Sequence, residues 1–291
     1  MTLAVRFWGT RGSVPSPGQA TVRYGGNTPC VELRTPRGDL VILDAGTGIR
    51  ALGNALVAEG DGARVGADVF LTHLHWDHIQ GLPFFAPLFR AGDRIAIHTA
   101  AEAVLEAERV LHGQMAAKVF PVTFAEVAAA VNFRAVPVDG CVRLGDAYHV
   151  RAHRVRHPGG ALGLRFAAAA GGDSLVYVPD NELDPTVPYD TPPGWRDQLV
   201  DFIRGARVLV HDSMYTPTEY ASHRGWGHST HADAVALALD AEVETLVLFH
   251  HEPDRSDDGV DAVLAECRAA VAASGRRLTV IAAAEGLQLD V

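Results

Sequence analysis

Short apolar runs, each stopped by a glycine, a proline or a polar residue, recur along the whole chain. "LAVRFW", "CVELRT", "LVILDAG", "ADVFLTHLH", "RIAIHT", "AYHVRAHRVRH", "LGLRFAAAA", "SLVYVPD", "ARVLVHDS", "ETLVLFHH" and "RLTVIAA" read as strands, being short and rich in branched and aromatic residues. Between several of them apolar residues recur three and four positions apart. That period predicts helices over residues 49–59, 101–112, 195–204, 230–240 and 256–273. Ser229 and Ser256 stand where N-caps are wanted, and the acids after Ser256 suit a helix start.

Early strands joined by glycine turns, and later strands alternating with helices, predict a mixed sheet layered with helices. No low-complexity linker interrupts the pattern, so a single domain over 1–291 is expected, with proline-rich "DPTVPYDTPPGW" as a surface loop. Hydrophobic residues make up 48% and charged residues 21%, and no apolar run approaches the roughly 18 residues of a membrane helix. A soluble protein with no membrane partner follows. The opening "MTLAVRFWGTRG" lacks the pattern of a secretory signal, which makes the cytoplasm the default location. Net charge is −10, which opposes broad counterion-driven binding to nucleic acid. Cys30, Cys141 and Cys267 are too widely spaced for a cysteine metal site or a disulfide framework and are expected to be reduced thiols, mostly packed.

The chemistry concentrates in "FLTHLHWDHIQGL", residues 70–82. Three histidines and an aspartate follow what reads as a buried strand and precede a turn opening a helix. Strand-end loops are where a fixed scaffold presents reactive groups. Neutral imidazole and carboxylate suit zinc and related divalent ions, and His73, His75, Asp77 and His78 are enough to serve two adjacent ions.

H-x-H-x-D-H after an apolar strand resembles the metallo-β-lactamase superfamily, whose α/β (α+β) fold is a four-layer αββα sandwich with a one- or two-metal site. The superfamily order calls for a further His, then an Asp, then a final His at strand ends. His157 in "RVRHPGG", Asp180 in "LVYVPDNE" and His250 in "TLVLFHHEP" stand in that order. The resemblance implies that His73, His75 and His157 hold one metal, that Asp77, His78 and His250 hold the other, and that Asp180 bridges them. His251 competes for the last place, and the residue directly after the strand is preferred. A shared carboxylate offsets repulsion between two dications while a bridging water is lowered to hydroxide. Zinc is the expected metal, with manganese and iron suited to the same ligands. Asp44 in "LVILDAGTG" matches the superfamily's early Asp, implying that it orients a ligand loop or histidine. A cap for the helix beginning near Gly48 is the other reading, and the two are compatible.

"GWGHST" resembles the H-S-T motif of the ribonuclease Z-like phosphodiesterases, and "LVHDSMY" stands where that group carries an H-E-A-T segment. The resemblance implies that His228 faces the scissile phosphate and that Asp212 orients it, with Asp in place of Glu and Ser213-Met214 in place of Ala-Thr. Ser229 and Thr230 are candidate substrate contacts or a helix cap. His211 has the alternative of a buried strand-end residue, and His223 and His231, without assigned roles, are expected at the surface. "FWGTRGSVPSP" with "RYGGNTPC" resembles the group's opening pattern, which makes Arg11, Arg23 and Asn27 candidates for phosphate contact, or parts of two tight turns.

Enzymes of that group that process transfer RNA carry a long arm between the third histidine and the bridging aspartate. Here His157 and Asp180 are 23 positions apart, room for a strand pair only. With the negative charge, this disfavours transfer RNA and favours a small or cyclic phosphodiester or a nucleotide. Segments 83–137 and 185–195 are expected to wall the substrate, with Phe84, Phe85, Phe89 and Trp195 divided between wall and core. The expected function is a phosphodiesterase acting through a metal-bridging hydroxide, with Asp77, His228 and Asp212 as catalytic residues. Its rivals are a carboxylic ester, lactone or thioester hydrolase on the same dinuclear site, and a non-catalytic ligand-sensing module. The last is weakened because every metal position is filled. Self-association as a homodimer is left open.

Overall fold

The apolar runs become the strands of two seven-stranded mixed sheets. The computed structural model describes residues 3–60, 62–145, 148–169 and 171–291. The chain divides into two compact units. The first runs to Pro15 and includes Gly25–Val136 and Ala284–Asp290; the second takes Ser16–Tyr24, Pro137–Ala283 and Val291.

In the first unit the strands are β1 (Ala4–Gly9), β2 (Cys30–Arg34), β3 (Leu40–Leu43), β4 (Gly66–Phe70), β5 (Arg94–Ala100), β6 (Ala130–Val136) and the last of the chain, β14 (Gln288–Asp290). They lie in the order β14-β1-β2-β3-β4-β5-β6. Pairing is antiparallel as far as β3 and parallel from β3 to β6. Parallel strands need cover on both faces. Accordingly every residue of β3 is buried, and α1 (Gly48–Glu59) turns Ile49, Leu52 and Leu56 into a core that contains Ile42, Val69, Phe85 and Ile97. Burial of each such side chain contributes about 1.5–3 kcal/mol before entropy is counted. Two further helices, α2 (Trp76–Ile79) and α3 (Val104–Gln114), complete the unit.

The direction of the parallel strands positions chemistry. β3 and β4 finish at the same sheet edge, so Asp44 and the 72–78 loop emerge side by side. Backbone hydrogen bonds tie the two loops, Ala45 N to His78 O at 2.7 Å and Gly81 N to Ala45 O at 2.9 Å. Gly81 is required here, because a Cβ on it would stand 2.0 Å from Gly46 O.

The second unit contains β7 (Cys141–Leu144), β8 (Tyr148–Val155), β9 (Ala161–Ala168), β10 (Ser174–Val178), β11 (Val208–Asp212), β12 (Thr245–Phe249) and β13 (Thr279–Ala282), adjacent in the order β13-β12-β11-β10-β9-β8-β7. β7 to β10 pair antiparallel, and β10 to β13 parallel. Helices α4 (Trp195–Ile203), α5 (Pro217–His223), α6 (His231–Asp240) and α7 (Asp257–Ser274) accompany it. Val176, Val178, Leu209, Leu246 and Leu248 pack with Phe202, Leu237 and Val263 in its core. Among the described residues no helix is long and apolar enough to cross a membrane.

Three expectations require correction. The N-cap of α6 is Thr230, whose hydroxyl accepts from Asp233 N; Ser229 is one residue too early, and its hydroxyl donates to Asn181 O instead. His231 is buried, not at the surface, with Nδ1 3.3 Å from Tyr215 O and Nε2 3.1 Å from Glu266. Strands β6, β7 and β14 and helix α5 had no counterpart in the expected elements. Ser256, by contrast, caps α7 as expected, accepting from Gly259 N.

Candidate metal centre

In the first unit Asp44 follows β3 in a left-handed conformation, φ 58°. A non-glycine residue holds that conformation only where its surroundings impose it. Here its fully buried carboxylate accepts from Thr72 N at 2.8 Å, contacts Thr72 Oγ1 at 3.0 Å and meets His78 Nδ1 at 2.8 Å. Asp44 therefore orients a histidine of the cluster, while α1 has Thr47 as its N-cap residue. Because a carboxylate only accepts, His78 carries its proton on Nδ1 and its lone pair on Nε2, which lies 3.4 Å from Asp77 Oδ2. Asp77 Oδ2 also accepts from Ser13 N at 2.8 Å. The ring of His73 lies 4.5 Å from that of His75 and 4.2 Å from that of His78. All four cluster residues are buried except His75.

In the second unit parallel strands again deliver the groups to one edge. Asp180 lies two residues past β10, Asp212 ends β11, and His250 directly follows β12. His250 is also left-handed, with φ 59°. The two oxygens of Asp180 face different imidazoles: Oδ2 is 3.7 Å from His157 Nε2 and Oδ1 is 3.4 Å from His250 Nε2. His157 Nδ1 lies 2.9 Å from the carbonyl of Gly227. A carbonyl can only accept, so the His157 lone pair is on Nε2, toward Asp180. Gly227 must be glycine, since its Cβ would stand 2.2 Å from His157 Nδ1.

This donor set fits a divalent metal. Two donors bonded to one tetrahedral ion at about 2.1 Å stand roughly 3.4 Å apart, close to both separations at Asp180. Imidazole nitrogens paired with the two oxygens of one carboxylate also suit zinc-type ions. His251 is engaged elsewhere, with its Nε2 2.9 Å from Ala283 O and its ring meeting Tyr24 edge-on at 5.8 Å.

Beside these groups, His228 Nδ1 is 2.8 Å from Asp212 Oδ2 and 3.9 Å from Asp180 Oδ2. Its ring stacks on that of His250 at 4.8 Å. Burial, followed by the Asp212 carboxylate, pushes the nearby Tyr215 phenol above its ordinary pKa, so this ring remains neutral beside His228. His211 is wholly buried, which lowers its pKa, and its Nδ1 is 2.7 Å from Asp212 O.

Glu182 belongs to this arrangement and was not among the expected residues. It is fully buried and accepts from Tyr189 OH at 2.6 Å, from Gly225 N at 2.7 Å, from Gly227 N at 2.8 Å and from Tyr220 OH. It thus pins the turn that leads into His228. Its neighbour Asn181 accepts from Arg156 N at 3.0 Å and gives its own N–H to Asp212 Oδ2 at 3.2 Å. An acid two positions after a strand-end aspartate was the only sequence signal for Glu182.

The remaining expected site residues have defined places. Arg11 is fully buried and donates through Nε to Gly25 O at 3.0 Å. Asn27 is held by Glu285, N to Oε1 at 2.7 Å and Nδ2 to Oε2 at 3.0 Å. Arg23 pairs with Asp258 at 2.6 Å and Asp261 at 2.7 Å. Phe85 is core, Phe84 and Phe89 are exposed, and Trp195 lies under the Arg156 guanidinium at 4.1 Å. Thus the structure groups His73, His75, Asp77 and His78 with Asp44 in the first unit. It groups His157, Asp180, Asp212, His228 and His250 in the second.

Comparison with known proteins agrees with this chemistry. Residues 40–251 match the model of the β-lactamase superfamily domain. A ribonuclease Z from Bradyrhizobium sp. (strain ORS 278) is 28% identical over 90% of this chain and 93% of its own length. Among solved structures, a diphosphatase of the PhnP family superposes with a TM-score of 0.67 at 20% identity, covering 99% of this chain and 98% of that one. Human tRNase Z, short form, superposes with a TM-score of 0.66 at 18% identity, covering 98% of each chain. Two mixed sheets flanked by helices are the expected fold class, and the resemblance to the ribonuclease Z-like group is borne out. The chain belongs to the β-lactamase superfamily, has the metallo-β-lactamase fold and is a metal-dependent hydrolase.

Proposed function

We propose that the protein is a phosphodiesterase acting on a small or cyclic phosphodiester, with the seven ligands His73, His75, Asp77, His78, His157, Asp180 and His250 serving one dinuclear centre. Zinc is the metal that donor set suits best. The observation that carries the reaction class is the His228–Asp212 pair at 2.8 Å, next to Asp180. Divalent metal bound there supplies positive charge for the phosphoryl oxygens and an acidified water as nucleophile. The chain's own residues supply the rest. Asp212 accepts from Nδ1–H and fixes the ring, so His228 in its doubly protonated form presents Nε2–H to donate a proton or hydrogen bond to the departing alkoxide and keeps its Nδ1–H bonded to Asp212. Tyr215 and Ser229 limit its movement, the first by its ring at 6.0 Å and the second by anchoring the segment to Asn181 O. Asp44 and the Gly227 carbonyl fix the tautomers of His78 and His157, so that both present Nε2 lone pairs.

RNA cleavage is the second reading, favoured by the name of the Bradyrhizobium relative. Against transfer RNA stands the segment between His157 and Asp180, where β9 and β10 form a direct antiparallel pair. The test is a substrate panel on metal-quantified protein: bis(p-nitrophenyl) phosphate, 2′,3′- and 3′,5′-cyclic nucleotides, a precursor transfer RNA, a lactone and a thioester. The expected result is cleavage of the small phosphodiesters. His228→Ala should keep the metal content and lower turnover by about 10²-fold or more. Unchanged phosphodiester turnover in that variant, or activity confined to the lactone or thioester, would overturn the assignment.

A further inference from the structure

His157 and Asp180 leave the second sheet from strands that are not neighbours. β8 and β10 each pair with β9 and so lie two strand spacings, about 9.5 Å, apart. Yet His157 Nε2 and Asp180 Oδ2 are 3.7 Å from one another. The ladder fixes the strands but not this separation, which depends on how the chain is held past the strand ends. Arg156, one residue before His157, makes that connection. Its N–H donates to Asn181 Oδ1 at 3.0 Å and its carbonyl accepts from Glu182 N at 2.7 Å, so its backbone holds both residues that follow Asp180.

The side chain extends the same grip. Arg156 is 2% exposed; its Nη1 donates to the carbonyls of Glu182 at 3.1 Å and Asp184 at 2.8 Å, and its Nη2 donates to that of Val187 at 2.5 Å. Its guanidinium carbon lies 4.1 Å from the centre of the Trp195 ring and 4.9 Å from that of Tyr189. Burying a cation is costly unless its donors are satisfied, and this one binds carbonyls from three points of a segment, residues 181–194, that has neither helix nor strand. Pro185, Pro188, Pro192 and Pro193 deprive that segment of backbone donors of its own. A planar fork of N–H groups can reach all three carbonyls and still present its flat faces to aromatic rings. An ammonium group, being a point charge, cannot.

We propose that Arg156 is a positioning residue for the metal-ligand pair: its guanidinium folds residues 181–189 against the end of β8 and so sets the separation of His157 from Asp180. The same fold brings Tyr189 OH to Glu182 Oε2 at 2.6 Å, which closes the segment on itself. The role rests on the reading of His157 and Asp180 as metal ligands, and it is independent of the substrate. Groups that hold ligands in place without touching the metal typically account for about 10–100-fold in metal affinity.

The test compares wild type, Arg156→Lys and His157→Ala in three measurements: zinc affinity by competition with a chromophoric chelator, visible absorption of the cobalt-substituted protein, and thermal melting. Arg156→Lys keeps the charge and loses the fork. The expected result is a variant that still melts cooperatively, binds zinc at least about tenfold more weakly and shows an altered cobalt band, with a larger loss of affinity in His157→Ala. A folded Arg156→Lys protein with wild-type affinity and spectrum would overturn the proposal whatever its melting temperature, since a purely structural role moves only the melt. Undiminished affinity in His157→Ala refutes the ligand reading. Weakened binding in His157→Ala with none in Arg156→Lys refutes the role of Arg156 alone. A further measurement needs no variant. Coupling is reciprocal, so zinc added to the wild-type protein should slow amide exchange over residues 183–191, which contain no candidate ligand, by a similar factor of about tenfold. Exchange there that is indifferent to zinc overturns the proposal even if Arg156→Lys does not fold.

Discussion

Replacing Glu182 with Gln changes one atom's chemistry and tests how the His228 turn is held. In the wild type Oε1 accepts from Tyr220 OH and Gly225 N, and Oε2 from Tyr189 OH and Gly227 N. A carboxamide offers a single acceptor oxygen and places an N–H₂ group opposite the other pair of donors. The tyrosine hydroxyl of that pair can rotate and accept, but the backbone N–H cannot. With the N–H₂ group opposite Oε2's donors, the buried Gly227 N–H is left without its acceptor, at about 1–3 kcal/mol, and the remaining bonds lose the charge assistance that roughly doubles their strength. Together these predict a loss of about 3 kcal/mol in unfolding free energy. The functional effect follows from Gly227, whose N–H is bound by Glu182 and whose carbonyl fixes the His157 tautomer at 2.9 Å. Displacing a reacting group by about 1 Å costs on the order of 10²-fold in rate, so kcat should fall by at least tenfold while KM stays near the wild-type value. Urea unfolding, metal quantification and steady-state kinetics on a cleaved phosphodiester measure all three. A Glu182→Gln protein within about 0.5 kcal/mol of wild type, with unchanged kcat, would refute the assigned role.

Two further outcomes are expected. Gln114→Leu should raise the unfolding free energy by about 1 kcal/mol, because it removes an amide buried without partners; a destabilised variant in urea melts would count against the assigned cost of that amide. His211 is held neutral by complete burial, with its pKa below the ordinary value of 6.5. The unfolded chain therefore takes up this proton before the native one, so the contribution to stability is full above that value and is lost as pH falls toward the lowered native one. His211→Gln should flatten the dependence of the urea midpoint between about pH 7 and 5, and a slope equal to that of wild type would contradict this.

What the sequence made legible were groups whose role is set by their position on a strand. "LVILD", "ADVFLTH" and "ETLVLFH" each show a buried run with a polar residue where it stops, and Asp44, His73 and His250 stand at those stops. Edge elements were harder to read. β6, "AVNFRAV", is largely exposed, and its pairing with β5 is not encoded in a hydrophobic period. β14 is three residues long and is held by β1, nearly the whole chain away. Burial that depends on distant partners was also hidden. His231 looks like any helix-start histidine until Glu266 closes over it. Phe84 and Phe85 are adjacent in a one-turn helix of residues 82–84 and its cap, so neither strand nor helix period says which is core.

The run Asp180-Asn181-Glu182 shows why the second unit's site depends on more than its candidate metal ligands. Past the end of β10 the chain is no longer in the ladder, and successive side chains point to different partners. Asp180 offers its oxygens to His157 and His250, Asn181 binds Arg156 and Asp212, and Glu182 gathers the turn at Gly225 and Gly227. The placement of Asp180 between two imidazoles, the orientation of Asp212 and the placement of His228 therefore all depend on one stretch. Buried networks of this kind are stable only when every member is satisfied, and in this one the satisfaction of each group depends on its neighbours. Changes at Asn181 and Glu182 should consequently be non-additive, since both converge on the His228–Asp212 pair. Substituting each alone should cost nearly as much activity as substituting both, whereas two independent supports would give losses that multiply.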